Sequence, residues 1–363
     1  MKVAVLGVGL IGGSIGLAAR RRLDAEVAGF DPDSENLERA REVGALDAVA
    51  GSVAEAVAGA EIVFCAAPVG ALPALGAAAL EASDEEAVVT DVGSTKRALV
   101  EDLAGASGGE RFIGGHPLAG AETSGVENAR AELFEGVRWY LTPTEGSSGV
   151  HYDKLQRAIG ELGARPQAID AAAHDRTMAT VSHLPHVLAD VLVSQAASAL
   201  TGDDDRIPEV GPSFRDTTRV AGANPAIWRD ILVANREAVA GEIDAVVARL
   251  TEAAQLLREA DADAIDAWHR GAREDRRRLL DAGVAGGPVT ELRVAVDNRP
   301  GTVAEIALAL GRAGVNIEDM ALYPAADMSS GAVSLWVAGS EEAERAADVV
   351  RGLGHGVTLA AES

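Results

Sequence analysis

Lys2-Val3-Ala4-Val5-Leu6-Gly7-Val8-Gly9-Leu10-Ile11-Gly12-Gly13-Ser14 is the stretch whose reading decides the fold. Lys2–Gly7 predicts a short apolar strand, and Ile11–Arg22 has helical spacing and closes in a basic turn. Between them stands a G-x-G-x-x-G turn, Gly7 to Gly12. A second strand is predicted at Glu26–Phe30, with Asp31 at its end. A strand, a glycine turn, a helix and an acid about 20 residues on together make a dinucleotide-binding βαβ unit. Glycine lets the backbone approach a pyrophosphate, whose charge sits on the helix N-terminus. Gly7, Gly9, Leu10, Ile11 and Gly12 are therefore assigned to the cofactor, and Asp31 to the adenosine ribose. A carboxylate there repels the extra phosphate of NADP, and Asp33 adds to the repulsion, so NAD is the predicted cofactor. Pro68 follows the strand Ile62–Cys65, where the chain would pass the dinucleotide; it reads equally as a strand-ending proline.

Outward from this unit, apolar runs at Glu61–Ala66, Ala87–Asp91, Phe112–Gly114 and Trp139–Thr142 alternate with helical segments. That alternation predicts an α/β domain over 1–170, a Rossmann-type parallel sheet covered on both faces. From about Ala171 to Leu280 apolar residues recur every three or four positions and strand-like runs disappear, which predicts an all-α domain over 171–282. Asp281–Pro288, DAGVAGGP, reads as a small-residue linker. After it come strand Glu291–Val296, helix Thr302–Ala313, strand candidates near Ile317–Tyr323 and Ala332–Val337, helix Glu341–Gly352 and a strand near Val357–Ala360. The order β-α-β-β-α-β predicts a ferredoxin-like α+β domain over 289–363.

The 363 residues carry a formal charge of −24, which excludes general nucleic-acid binding and weakens any case for anionic membranes. Lysine is scarce and arginine supplies most of the positive charge, so an anionic substrate needs a local arginine cluster. No stretch joins about 20 apolar residues without charge, and the N-terminal run reads as a strand and turn rather than a leader. Cys65 is the single cysteine; with no intrachain disulfide available, a cytoplasmic location is expected.

Ligands of open α/β sheets lie beyond the carboxyl ends of the strands. Two segments fall there: Asp91-Val92-Gly93-Ser94-Thr95-Lys96 and Gly114-Gly115-His116-Pro117-Leu118-Ala119-Gly120-Ala121-Glu122. Glycines around His116 would leave its ring uncovered, though a histidine after a strand also serves as a packed residue. Ser94 at a strand end could bond that ring and fix its tautomer. In the helical part Ser182-His183-Leu184-Pro185-His186 puts two histidines three apart, with no third and fourth ligand nearby, so no metal is predicted. Arg215 and Arg219 are four apart and lie side by side on a helix; arginines so placed also pair with nearby acids.

Together these segments resemble the prephenate dehydrogenase family over roughly Lys2 to Arg278. The resemblance rests on G-x-G-x-x-G-G-S at the start, D-x-G-S-x-K at Asp91–Lys96 and G-G-H-P-x-A-G-x-E at Gly114–Glu122. It rests further on S-H-L-P-H at Ser182–His186, F-R-D-x-T-R at Phe214–Arg219 and N-P-x-x-W-R-D at Asn224–Asp230. The cofactor motif is generic; the others together are specific. The resemblance implies a Rossmann domain, a helical domain that forms a homodimer, and an active site between them.

It also implies roles. The substrate would be prephenate, a dianion with a ring hydroxyl, oxidised and decarboxylated to 4-hydroxyphenylpyruvate. His116 would take the hydroxyl proton and Ser94 would orient His116. Arg219 and Arg215 would bind the carboxylates, His183 and Trp228 would line the pocket, and Glu122 would hold an arginine or gate the entrance. Ala121 stands where some members carry a polar residue, so it is given no role. The C-terminal segment resembles an ACT domain through Asp297-Asn298-Arg299-Pro300-Gly301 and Ala313-Gly314-Val315-Asn316-Ile317. That implies an amino-acid effector, tyrosine first, held near Asn298, Gly301 and Asn316. Arogenate dehydrogenase, with an amino group in place of the keto group, fits the same residues. A hydroxyacid or imine reductase explains the glycine turn but not the GGHP and F-R-D-x-T-R segments. A non-catalytic amino-acid sensor does not explain intact His116, Ser94 and Arg219.

Overall fold

β1 (Lys2–Leu6) runs into a turn that only glycine can make, and α1 (Leu10–Arg22) leaves it. Gly7 has φ of +95°, and a Cβ there would lie 2.4 Å from the carbonyl oxygen of Ala66. A Cβ on Gly12 would lie 1.9 Å from the Gly7 carbonyl oxygen, so α1 could not start so close to the strand. The basic residues Arg20, Arg21 and Arg22 sit at the C-terminal end of α1, the end its dipole favours for cations. The structure is a computed structural model that describes residues 1–119, 125–200, 210–281, 289–297, 299, 301–317, 319–325 and 330–359.

The sheet continues through β2 (Glu26–Phe30), β3 (Ala48–Val49), β4 (Ile62–Cys65), β5 (Val88–Asp91), β6 (Phe112–Pro117), β7 (Arg138–Thr142) and β8 (Arg165–Ala168). Their order is β3-β2-β1-β4-β5-β6-β7-β8. Helices α2 (Ser34–Glu42), α3 (Val53–Val57), α4 (Leu72–Ala82), α5 (Arg97–Ala104) and α6 (Gly149–Glu161) join them with α1. The central strands are buried end to end, as in a sheet covered on both faces: Val3, Val5, Ile62, Phe64, Val88 and Val89 have no exposed surface. One pairing departs from the parallel rule: β7 runs antiparallel to β6. A parallel return needs a crossover, usually a helix, and the described part of this connection holds only the 3₁₀ turn Val126–Asn128.

The helical region comprises α7 (Ala171–Met178), a π turn at Ala179–His183, α8 (Leu184–Leu200), α9 (Pro212–Thr218), a 3₁₀ turn at Arg219–Gly222, α10 (Pro225–Ala234), α11 (Arg236–Glu259) and α12 (Ala262–Asp281). By its contacts the chain divides into two compact units. One takes Met1–Asp175, Asn224–Ala234 and Val289–Ser363; the other takes Arg176–Ala223 and Asn235–Pro288. The first turns of α7 and the whole of α10 thus belong with the sheet.

The C-terminal region forms β9 (Val289–Asp297), α13 (Thr302–Arg312), β10 (Asp319–Pro324), β11 (Ser330–Ala338), α14 (Ser340–Gly352) and β12 (Gly356–Leu359). Its sheet is antiparallel, in the order β10-β11-β9-β12, and this is the ferredoxin-like arrangement an ACT-like domain has. It is not a separate bead: one hydrophobic core runs from Trp139 and Leu155 into Val303, Ile306 and Leu335. Small residues allow the approach of α13. A Cβ on Gly149 would lie 3.4 Å from Val303, and one on Gly301 would lie 2.7 Å from the Glu145 carbonyl oxygen.

Candidate active site

At the glycine turn, Gly9 leaves open space: a Cβ there would meet nothing within 4 Å. Gly9 is the N-cap of α1, whose first turn holds no acidic side chain, so the N-terminal N–H groups face an uncontested anion position. Leu10 and Ile11 are half-buried in the first helical turn. Asp31 stands just past β2 and its carboxylate accepts from the backbone N–H of Val8 at 2.9 Å and of Asp33 at 2.9 Å. An ionised carboxylate has about four acceptor positions. The Asn36 side-chain amide also donates to Oδ1, at 3.5 Å, and one position remains for a ribose hydroxyl, so this turn fits NAD. Asp33 is the N-cap of α2, its side chain accepting from the Glu35 N–H. Pro68 is exposed past β4 and opens the 3₁₀ turn Val69–Ala71.

His116 lies near the carboxyl end of β6, half-buried. Its Nδ1 is 2.9 Å from Nε2 of His174. The two rings meet edge to face, and Tyr140 packs edge-on against His174 from β7. His174, on α7, is fully buried, and its Nδ1 is 2.9 Å from Oδ1 of Asp175. Burial holds the His174 imidazole below its usual value, against the opposing pull of the Asp175 hydrogen bond. Asp175 also accepts from the backbone N–H groups of Lys96 at 2.7 Å and Arg97 at 2.9 Å at the start of α5. Burial pushes its carboxyl up, but the hydrogen bonds from His174, Arg97 and Lys96 together hold it below the usual range.

A buried ion pair adjoins the histidines. Lys96 and Asp91 have side chains 0% and 1% exposed and are joined Nζ to Oδ2. Asp91 further accepts from the N–H of Gly93 at 2.7 Å and of Gly115 at 3.0 Å, so it clamps the backbone beside His116. Burial pushes the Lys96 ammonium down and Asp91 pushes it back up.

Ser94 is half-buried in the turn after β5. The bond expected between it and His116 is absent among the described residues: His174 occupies the Nδ1 position. Sequence reasoning missed His174 and Asp175. The signal available was an adjacent His-Asp pair in the alanine-rich start of a helix, but nothing in its spacing ties it to a ring 58 positions earlier. The roles of Asp91 and Lys96 were missed as well, although the segment itself stood out.

Trp228 is half-buried on α10, in the same unit as His116. His183, Arg215 and Arg219 belong to the other unit. His183 ends the π turn, is buried, and receives a hydrogen bond at Nδ1 from Asn235 Nδ2 at 3.1 Å. That acceptor role leaves its proton on Nε2, the form that donates to an anion. Insertions of one π turn frequently mark functional positions in helices. Arg215 on α9 and Arg219, which opens the following 3₁₀ turn, are both exposed. Glu122 and Asn298 lie outside the described residues. Gly301 caps α13 with φ of +88°, and Asn316 follows that helix, half-buried. Among the described residues no three metal-binding side chains converge, and no described helix is long and apolar enough to cross a membrane.

Residues 15–167 match the family described as prephenate dehydrogenase, nucleotide-binding domain, and residues 170–270 match prephenate dehydrogenase, dimerization domain. A prephenate dehydrogenase of Bacillus subtilis is 30% identical over 353 residues, covering 95% of this chain and 94% of its own. That alignment is long enough to enter the C-terminal domain. Among solved structures, prephenate dehydrogenase from A. aeolicus, in complex with hydroxyphenyl propionate and NAD+, is 31% identical. It has a TM-score of 0.72 and covers 77% of this chain and 98% of its own. Synechocystis arogenate dehydrogenase is 27% identical with a TM-score of 0.68, covering 77% of this chain and all of its own. With its glycine turn, its NAD-binding domain and its dimerisation domain in the family's order, the chain belongs to the prephenate dehydrogenase family of NAD-linked oxidoreductases.

Proposed function

We propose that this chain oxidises and decarboxylates prephenate to 4-hydroxyphenylpyruvate in the cytoplasm, with residues 1–170 binding NAD, 171–282 forming the homodimer and 289–363 sensing an amino acid. The observation that carries the chemistry is the half-buried His116 at a strand end of the unit whose glycine turn fits a dinucleotide. NAD+, when bound, supplies the acceptor for the hydride that leaves the carbinol carbon. Gly7, Gly9, Leu10, Ile11 and Gly12 hold it, Pro68 flanks it, and Asp31 selects it by refusing a 2′-phosphate. His116 takes the proton of the ring hydroxyl. As the ring carboxylate departs as carbon dioxide, its bonding electrons pass through the ring to that oxygen, which regains a proton to become the phenol. Ser94 contacts the hydroxyl or the nicotinamide. Trp228 and His183 line the substrate, Arg219 and Arg215 hold its carboxylates, and Glu122 restrains an arginine or the entrance.

NADH appearance tests the reading. Prephenate with NAD is expected to give turnover well above prephenate with NADP or arogenate with either. Turnover confined to arogenate would replace the substrate, and a preference for NADP would remove the ribose role of Asp31.

Arg219→Ala is expected to raise KM for prephenate about 10- to 150-fold, the worth of one charge-assisted hydrogen bond of roughly 1.5–3 kcal/mol, with kcat less affected. Steady-state kinetics at saturating NAD measure it; an unchanged KM in a folded variant takes Arg219 out of the site.

The homodimer reading rests on exposed apolar side chains of the helical unit, Val191 on α8 and Val247, Leu250 and Leu257 on α11, which sedimentation should show to be covered in a two-chain species. The effector reading places L-tyrosine near Asn298, Gly301 and Asn316. Deleting 289–363 would strip cover from the core it shares with the sheet, so a point change is the cleaner test. Asn316→Ala is expected to weaken tyrosine inhibition while leaving KM for prephenate unchanged. Inhibition that stays competitive and undiminished would assign tyrosine to the active site instead.

A further inference from the structure

We infer that His174 and Asp175 are positioning residues that fix the tautomer of His116, so that its Nε2 carries the lone pair used as the base. The inference rests on the reading of His116 as the proton acceptor and goes beyond it. The argument runs along the chain of hydrogen bonds. Asp175 is an ionised carboxylate held by two backbone N–H groups, so at 2.9 Å from His174 it only accepts. His174 Nδ1 must then carry a proton. A fully buried imidazole with its pKa held down is neutral at pH 7, so its Nε2 is bare and accepts. His116 Nδ1, 2.9 Å away, must therefore carry a proton and donate it. In a neutral ring this leaves the lone pair on Nε2.

The groups facing His174 support one orientation. Asp175 comes from its own helix, Asp91 and Lys96 from the end of β5 and the turn after it, His116 from β6 and Tyr140 from β7. Lys96 disfavours a charge on His174, and its positive end is neutralised by Asp91. When His116 takes the substrate proton, the resulting imidazolium still donates to His174 Nε2, and no proton passes further. The bond favours the protonated form of His116.

The direct test is nitrogen NMR of the imidazoles in the substrate-free wild-type protein. His116 is expected as the Nδ1–H tautomer and His174 likewise; an Nε2–H tautomer at His116 overturns the inference whether or not prephenate is the substrate. In kinetics, His174→Phe keeps the ring volume against Tyr140 but removes the acceptor. It is expected to lower kcat about tenfold or more with KM for prephenate little changed, and to move the acid limb of kcat/KM to lower pH. His174→Gln restores an acceptor oxygen and should recover much of both effects. Equal losses in the two variants, or an unmoved acid limb in His174→Phe, would show His174 to be packing only. If the wild type fails to oxidise prephenate while the NMR result holds, the substrate reading falls and the positioning role of His174 and Asp175 stands.

Discussion

His116→Asn is expected to lower kcat by roughly 100-fold or more, the ordinary scale for loss of a general base. Asparagine is close in size, and its amide N–H can still donate to His174 Nε2, so the β6 end keeps its shape. It has no lone pair basic enough to take the hydroxyl proton. The cofactor site should be untouched, because Gly7, Gly9, Gly12 and Asp31 are set by the β1 turn and the end of β2 and share no hydrogen bond with His116. The expected pattern is therefore a collapse of kcat with NADH affinity, read by fluorescence titration, near that of the wild type. Loss of both together would point to a fold defect. Near-normal turnover would show that the proton goes elsewhere.

The ease of reading the cofactor site and the difficulty of reading the histidine site have physical causes. The glycine turn is local: a Cβ on Gly7 would clash with the chain that follows β4 and one on Gly12 would clash with Gly7, so one short stretch states both the backbone and the ligand. Asp31 follows by strand length alone. The C-terminal domain was legible through its longer elements, the nine-residue strands β9 and β11 and the helices α13 and α14 of 11 and 13 residues. β8 was not, because Arg165-Pro166-Gln167-Ala168 is a polar edge strand that tolerates proline. β3, two residues long, carries no periodicity at all. The antiparallel β7 also escaped, because strand direction depends on a connection that the pattern within the strand does not record. The partner of His116 was hidden by distance along the chain. Ser94 lay close by in the sheet order and was the natural candidate, but the ring edge is met by a helix that enters after β8. Arg215 and Arg219 could be paired by helical spacing, and the structure puts the boundary between α9 and the following 3₁₀ turn between them.

Lys96→Met is expected to cost about 3–5 kcal/mol of stability, the usual effect of breaking a buried ion pair from one side. Domains of ordinary size are stable by about 5–15 kcal/mol, so the loss is a large share of the whole. The reason lies in what remains. Asp91 would stay inside a core that exposes 1% of it, held by the N–H groups of Gly93 and Gly115 but stripped of its cation. It would either be buried charged at high cost or protonate, losing strength in both backbone bonds. The bond to Gly115 is the one next to His116, so kcat should fall in whatever fraction remains folded. Lys96 is one of three lysines in the chain, and arginine would not serve. The space around its stem is closed, with a Cβ on Gly114 only 3.2 Å from Lys96 Cδ. A planar guanidinium is wider than an ammonium and needs more donors satisfied. The charge account makes a second, sharper claim. Asp91→Asn combined with Lys96→Met removes both charges and keeps an oxygen for Gly93 or Gly115, so it should be more stable than Lys96→Met alone. Urea unfolding of the three proteins decides it. A double variant no more stable than the single one would mean that Lys96 matters for its packing, and a single variant within about 1 kcal/mol of the wild type would mean that the pair holds nothing.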